Sequence, residues 1–176
     1  MTTTRPARDD DLPRLRDIER AAGQAFAALG MHLVAEDEPP SLETLRGYAD
    51  GGRAWVRADD ADRPLAYLLA DVVDGCAHLE QVSVHPDAAG SGHGRVLVEH
   101  LVAWARGRGL PAVTLTTYVD VPWNGPYYRR LGFRPLHPAE LTPGLREIRR
   151  HEAAHGLDRR PRTAMLLELR PRGPSG

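Results

Sequence analysis

Lysine is absent, and all 23 basic side chains are arginine. That excludes a lysine Schiff base and any phosphate-binding loop that depends on a lysine. Cysteine occurs once, as Cys76. One thiol can neither close an internal disulfide nor share a metal with a second thiolate, so a reducing, cytoplasmic location is expected and no metal. No stretch approaches the roughly 18 apolar residues of a membrane span, and MTTTRPARDDDLPRL has no apolar signal core, so no membrane association is expected. Nor is either sign of charge in surplus. With 24 acidic residues and a net charge of -1, the chain is not one built mainly to coat nucleic-acid phosphates.

What is present is enough for one core. Apolar residues are 41% of 176, while 17 Gly and 15 Pro supply many turns. This fits a single domain over 1–176 with an ordered core of about 5–170. After an extended start, Leu12, Leu15, Ile18, Ala22 and Phe26 recur at helical spacing, and Gly30 ends the run. Residues 35–43 read as an acidic loop, and Ser41 as the cap of a short helix. The period then changes to that of strands in RAWVRA, PLAYLLADVV and AHLEQVSVHP, joined by turns at Asp59–Arg63 and Asp74–Gly75.

A long amphipathic helix over about 92–108 follows, then the strand AVTLTT. A right-handed crossover makes the strands on either side of that helix parallel, giving a mixed, largely antiparallel sheet flanked by helices. A short helix over Asn124–Leu131, a strand start over 133–136, a helix in REIRRHEAAHG and the strand TAMLLEL complete the expected order. The closing RPRGPSG reads as a frayed tail.

The strongest chemical signal is VSVHPDAAGSGHGRVLVEHL. A strand ends, Gly90, Gly92 and Gly94 fill a short loop, and a helix begins at once. Such a junction lets a ligand approach the backbone, and the unpaired first-turn amides of the helix suit phosphate oxygens. It is not the nucleotide-hydrolase loop, because Arg95 and Val96 follow Gly94 where Lys and Ser or Thr are required. It is not the dinucleotide turn either, since an antiparallel meander precedes it.

Residues 84–109 instead resemble the acetyl-coenzyme A signature of the Gcn5-related N-acetyltransferase (GNAT) superfamily. Ser91, Gly92, His93 and Gly94 occupy its last four positions, and Ala89 stands where a long polar side chain is usual. WNGPYYRRLGF at 123–133 resembles the family's second motif. The resemblance implies a GNAT-like sheet with splayed central strands, acetyl-coenzyme A as co-substrate, and acetyl transfer to a primary amine of a small molecule by direct attack. Acceptors in proteins, at an N-terminus or a lysine, are the alternative, and an inactive coenzyme A-binding module is a third reading. Homodimers are common in the family.

The resemblance also implies site residues. Val82, Ser83 and Val84 lend backbone to the pantetheine arm. Ala89, Gly90, Ser91, Gly92, His93, Gly94 and Arg95 surround the pyrophosphate. Asn124 either caps its helix or approaches the pantetheine. Tyr128 either protonates the departing thiolate or packs on the sheet. Glu80, on the same strand face as Val82, is a general base, a charge anchor for the amine, or a surface residue.

The acidic residues Glu36, Asp37 and Glu38, with Thr116, Thr117, Asp120 and Trp123, are expected to border the acceptor. HEAAH at 151–155 matches the zinc-peptidase pattern HExxH, but without a third ligand it is read as an exposed helix face.

Overall fold

Periodicity, caps and turns set the local elements. In the computed structural model, which describes residues 1–169, seven strands form one mixed sheet in the order β1-β2-β3-β4-β5-β7-β6, with helices flanking it. The chain makes two units, Met1–Ala70 with Glu80–His100, and Asp71–Leu79 with Leu101 onward.

In the first unit, β1 (Thr3–Pro6) pairs antiparallel with β2 (Ala54–Ala58), and β2 with β3 (Pro64–Val73). Helix α1 (Leu12–Ala27) tolerates Pro13 because the first-turn N–H has no helical acceptor to lose. Its stripe Leu12, Leu15 and Ile18 packs with Val56, Tyr67 and Leu69 of the strands. The chain then forms a helical turn, α2 (His32–Ala35), between the expected helix end at Gly30 and the loop expected from residue 35. Helix α3 (Leu42–Asp50) adds Leu45 to the same core, and Ser41 Oγ accepts from Thr44 N–H at 3.1 Å as its cap. In the acidic loop, Glu38 pairs with Arg16 and Arg20 of α1.

Strand β4 (Cys76–Val84) leads through the glycine loop into α4 (His93–Gly107). In the second unit the first residues of β4 pair parallel with β5 (Ala112–Tyr118), Ala77 opposite Val113 and His78 opposite Thr114. The expected parallel pairing is therefore present. Strand β5 pairs antiparallel along its whole length with β7 (Arg162–Glu168), and β7 also carries the two-residue β6 (Arg134–Pro135). Helix α5 (Gly125–Arg130) and helix α6 (Pro143–Ala154) complete the unit. Thr142 caps α6 earlier than the REIRRHEAAHG run suggested, and Leu145 joins Leu136 and Ala164 in a local core. The expected frayed tail, RPRGPSG, lies outside the described residues.

Candidate active site

The first unit carries the glycine loop. Gly90 and Gly92 both have φ of +79°, a conformation strained for any residue with a Cβ, and a Cβ at either would meet nothing within 4 Å. The loop therefore has left-handed backbone and open space beside it. Val96 N–H donates to Gly92 O at 3.1 Å as α4 begins. The preceding amides of His93, Gly94 and Arg95 belong to the first turn, whose N–H groups have no intrahelical acceptor.

Among the loop side chains, Ala89 and Ser91 are exposed, while His93 is 8% exposed with its Nδ1 buried and unpartnered. Burial, then Arg57, lowers the His93 pKa, which keeps that imidazole neutral near pH 7. Arg95 turns along its own helix to Glu99 at 2.8 Å. A cavity of about 420 Å³ opens beside the loop, where Arg14, Arg63, Leu65, His85, Ser91 and His93 contribute to its walls.

Strand β4 supplies the second feature. His85 N–H donates to Leu65 O of β3 at 2.9 Å. Backbone polar groups alternate in direction along a strand, so those of Ser83 and Gln81 also face β3, whereas those of Val84, Val82 and Glu80 face the opposite edge. On that edge the β4–β5 ladder contains only Ala77 and His78, so it ends before Glu80. The expected backbone donors at Val82 and Val84 thus lie on a strand edge beyond the ladder.

On the other face of β4, a carboxylate from α1 gathers three side chains. Glu19 accepts from Tyr67 Oη at 2.8 Å, from Ser83 Oγ at 2.5 Å, and from Gln81 Nε2 at 3.2 and 3.1 Å. Gln81 Nε2 also donates to Ser83 Oγ at 2.8 Å. Burial raises the Tyr67 pKa well above the ordinary phenol value, with Glu19 adding to it, so Tyr67 remains a donor. Sequence reasoning missed Glu19, because in α1 it reads as one more polar helix position.

Glu80 shares a face with Val82 and Val84, as alternation required, and it is exposed.

In the second unit Tyr128 is 7% exposed, with its ring edge-on to Tyr127 and Phe133 at centroid distances of 5.3 and 5.7 Å. Burial, then Tyr127, raises its pKa, so the phenol keeps its proton. Its helix is fixed at the start by Gly125, where a Cβ would fall 2.6 Å from Val119 O. Asn124 precedes that helix but its side chain makes no capping bond, which removes the cap reading of this residue.

Around HEAAH, His151 and His155 are exposed and His155 Nδ1 lies 2.8 Å from His151 O. Glu152 turns inward instead, to Thr116 at 2.7 Å, Arg149 at 2.9 Å and Arg162 at 2.7 Å. The exposed-face expectation thus holds for the histidines and fails for Glu152. No group of three metal-ligating side chains occurs among the described residues. Asp120 pairs with Arg160 at 3.2 Å, and Trp123 is 40% exposed. His78 is buried against Thr114 Oγ1 at 2.8 Å, and burial lowers its pKa. The Cys76 thiol is raised by burial and then by Asp74, which disfavours the thiolate a nucleophile requires.

Comparison with known proteins agrees with this geometry. Residues 13–133, which contain both signature segments, match the acetyltransferase (GNAT) family. The peptidyl-lysine N-acetyltransferase YjaB of Escherichia coli (strain K12) is 28% identical over 109 residues, 62% of this chain and 68% of that enzyme. The ribosomal-protein-S18-alanine N-acetyltransferase from Escherichia coli superposes with a TM-score of 0.68 at 23% identity, covering 100% of this chain and 99% of that one. A GNAT family acetyltransferase from Brucella melitensis, solved in complex with acetyl-CoA, gives a TM-score of 0.61 at 22% identity, covering 100% and 93%. With the glycine loop, the open β4 edge and the family match over most of its length, this chain belongs to the GNAT family of acetyltransferases.

Proposed function

We propose that the protein transfers the acetyl group of acetyl-coenzyme A to a primary amine of a small molecule. The observation that carries this reading is the loop at the end of β4, where two glycines in left-handed conformation leave open space and lead directly into the unpaired amides of a 15-residue helix. Those features fit a pyrophosphate, whose oxygens need backbone donors and no particular side chain. This also makes Ala89 tolerable in place of a long polar residue.

When bound, acetyl-coenzyme A supplies the acetyl group as a thioester. The chain's own residues then have separable tasks. The Val82 N–H, on the open edge of β4, stabilises negative charge developing on a carbonyl oxygen. Tyr128 holds a proton for a departing thiolate, and its raised pKa keeps that proton in place beforehand. An ammonium must lose a proton before its nitrogen can attack, and the exposed Glu80 serves as acceptor or as charge anchor. A carbon–nitrogen bond forms as the carbon–sulfur bond breaks, with no acyl-enzyme.

Calorimetric titration with acetyl-coenzyme A tests the reading. Binding is expected in the wild type and is expected to be lost in Gly92→Asp, which places a negative side chain beside the phosphates. Absence of binding to the wild type at millimolar ligand would remove the proposal. A second acceptor class, a lysine in a peptide, is favoured by the likeness to a peptidyl-lysine N-acetyltransferase. Thiol release measured with small amines and with lysine-containing peptides separates the two, and failure of both leaves a coenzyme-binding module.

A further inference from the structure

The carboxylate of Glu19 is the most heavily coordinated acidic group of the first unit that the chemistry above does not use. Its partners come from three places in the sequence: Tyr67 of β3, and Gln81 and Ser83 of β4. No cation is paired with it among the described residues, so neutral donors satisfy it. Tyr67 is 1% exposed and Ser83 6%, so water competes little for these bonds. Gln81 and Ser83 also bond to one another, which closes the arrangement into a ring of three groups.

Position gives this arrangement its consequence. Gln81 and Ser83 flank Val82, whose backbone points to the open edge of β4. A strand held by neighbours on both sides has its peptide planes fixed by two ladders, but this segment lies past the end of one of them. Side-chain bonds from the two flanking residues to a single carboxylate replace the missing restraint. An oxyanion donor is effective only if it is oriented before the reaction, because reorganising it during the reaction costs what it would gain.

We propose that Glu19 is a positioning residue for acyl transfer, which fixes the β4 segment around Val82 by accepting hydrogen bonds from Tyr67, Gln81 and Ser83 together. This rests on the acyl-transfer reading of that strand. Glu19 acts through the strand and touches no substrate. Coenzyme affinity, which resides in the glycine loop, is separable from it, and the rate of the chemical step is not.

The test uses the full chain and the variants Glu19→Ala, Glu19→Gln, Gln81→Ala and Tyr67→Phe. Leu145→Ala, in the core of the second unit, serves as a control destabilised elsewhere. Three quantities are measured: kcat at saturating substrates, the Kd for coenzyme A, and hydrogen exchange at the Gln81 and Ser83 amides. Glu19→Ala is expected to lower kcat by about 10- to 100-fold, the range expected when a positioned group is loosened, while Kd stays within about twofold. Exchange at both amides is expected to accelerate, Glu19→Gln to fall between, and Glu19→Ala with Gln81→Ala to be less than additive in kcat.

The proposal is overturned if exchange at these amides is unchanged, if kcat falls no further than in Leu145→Ala at matched thermal stability, or if kcat and Kd deteriorate together. Should the wild type bind no acetyl-coenzyme A, it is the acyl-transfer reading that has failed. The exchange measurement still decides in that case whether Glu19 fixes the strand.

Discussion

Adding one methyl group at Gly125 should unfold the protein at a lower temperature, although the same change in an open helical site should do the opposite. Gly125 begins α5 and is buried. A Cβ there would lie 2.6 Å from Val119 O, 2.9 Å from Tyr118 O and 3.1 Å from Val119 C. All three atoms are backbone, so no side chain can rotate away, and either α5 or the end of β5 must shift by a substantial part of an ångström. Overpacking of this kind costs about 1–3 kcal/mol, against a gain of about 0.5–1 kcal/mol from replacing a flexible glycine.

The net loss of up to about 2.5 kcal/mol corresponds to a fall in Tm of up to roughly 10 °C for a chain of this size. Gly47 provides the comparison. It sits exposed in α3 with nothing within 4 Å of a built Cβ, and Gly47→Ala should stabilise by up to about 1 kcal/mol. Thermal unfolding followed by circular dichroism measures both. Because α5 carries Tyr128, Gly125→Ala should also lower turnover more than coenzyme affinity. A Tm for Gly125→Ala equal to or above the wild type, with Gly47→Ala raised as expected, would refute the steric reasoning.

Three further outcomes follow from buried polar groups. Tyr128→Phe is expected to reduce turnover severely while leaving coenzyme A affinity within about twofold, since a proton donor matters in the transition state; unchanged turnover would assign the ring to packing against Tyr127 and Phe133. Burial is the first cause of the lowered pKa of His78, His93 and His100. The unfolded chain therefore takes up protons first as pH drops below 6.5, stability is lost in that window, and near-complete burial of His78 sets its share at up to about 1.4 kcal/mol per pH unit. Urea unfolding at about pH 7.5 and 5.5 reads this effect, and His78→Gln should reduce the difference. Arg162→Met removes one of the two arginines paired with Glu152, whose side chain is 12% exposed, and should cost about 1–3 kcal/mol, because Arg149 and Thr116 remain as partners; adding Glu152→Met should recover part of that loss, and no recovery would show that the pair's burial is not what makes the single change costly.

The sequence by itself determined the elements and the family. The apolar strand run PLAYLLADVV, the Ser41 cap, the positive-φ turn at Asp74 and Gly75 and the glycine run before α4 are signals spanning a few residues, and each acts through geometry that short segments dictate. The two signature segments lie within α4 and α5 and the loops before them, so they too were legible locally. Boundaries moved where a cap outweighed the periodic pattern, as Thr142 did for α6.

What only the tertiary structure decided was the environment of the charged and polar side chains. Glu80 is exposed while Ser83 of the same strand is buried. Glu152 is held by Arg149 and Arg162 because β7 and α6 bring those partners to it. Glu19 meets Ser83 across 64 positions of chain. A carboxylate in a helix looks the same in sequence whether water or a ring of donors surrounds it. Its desolvation and its partners are properties of packing between segments, which no local pattern records.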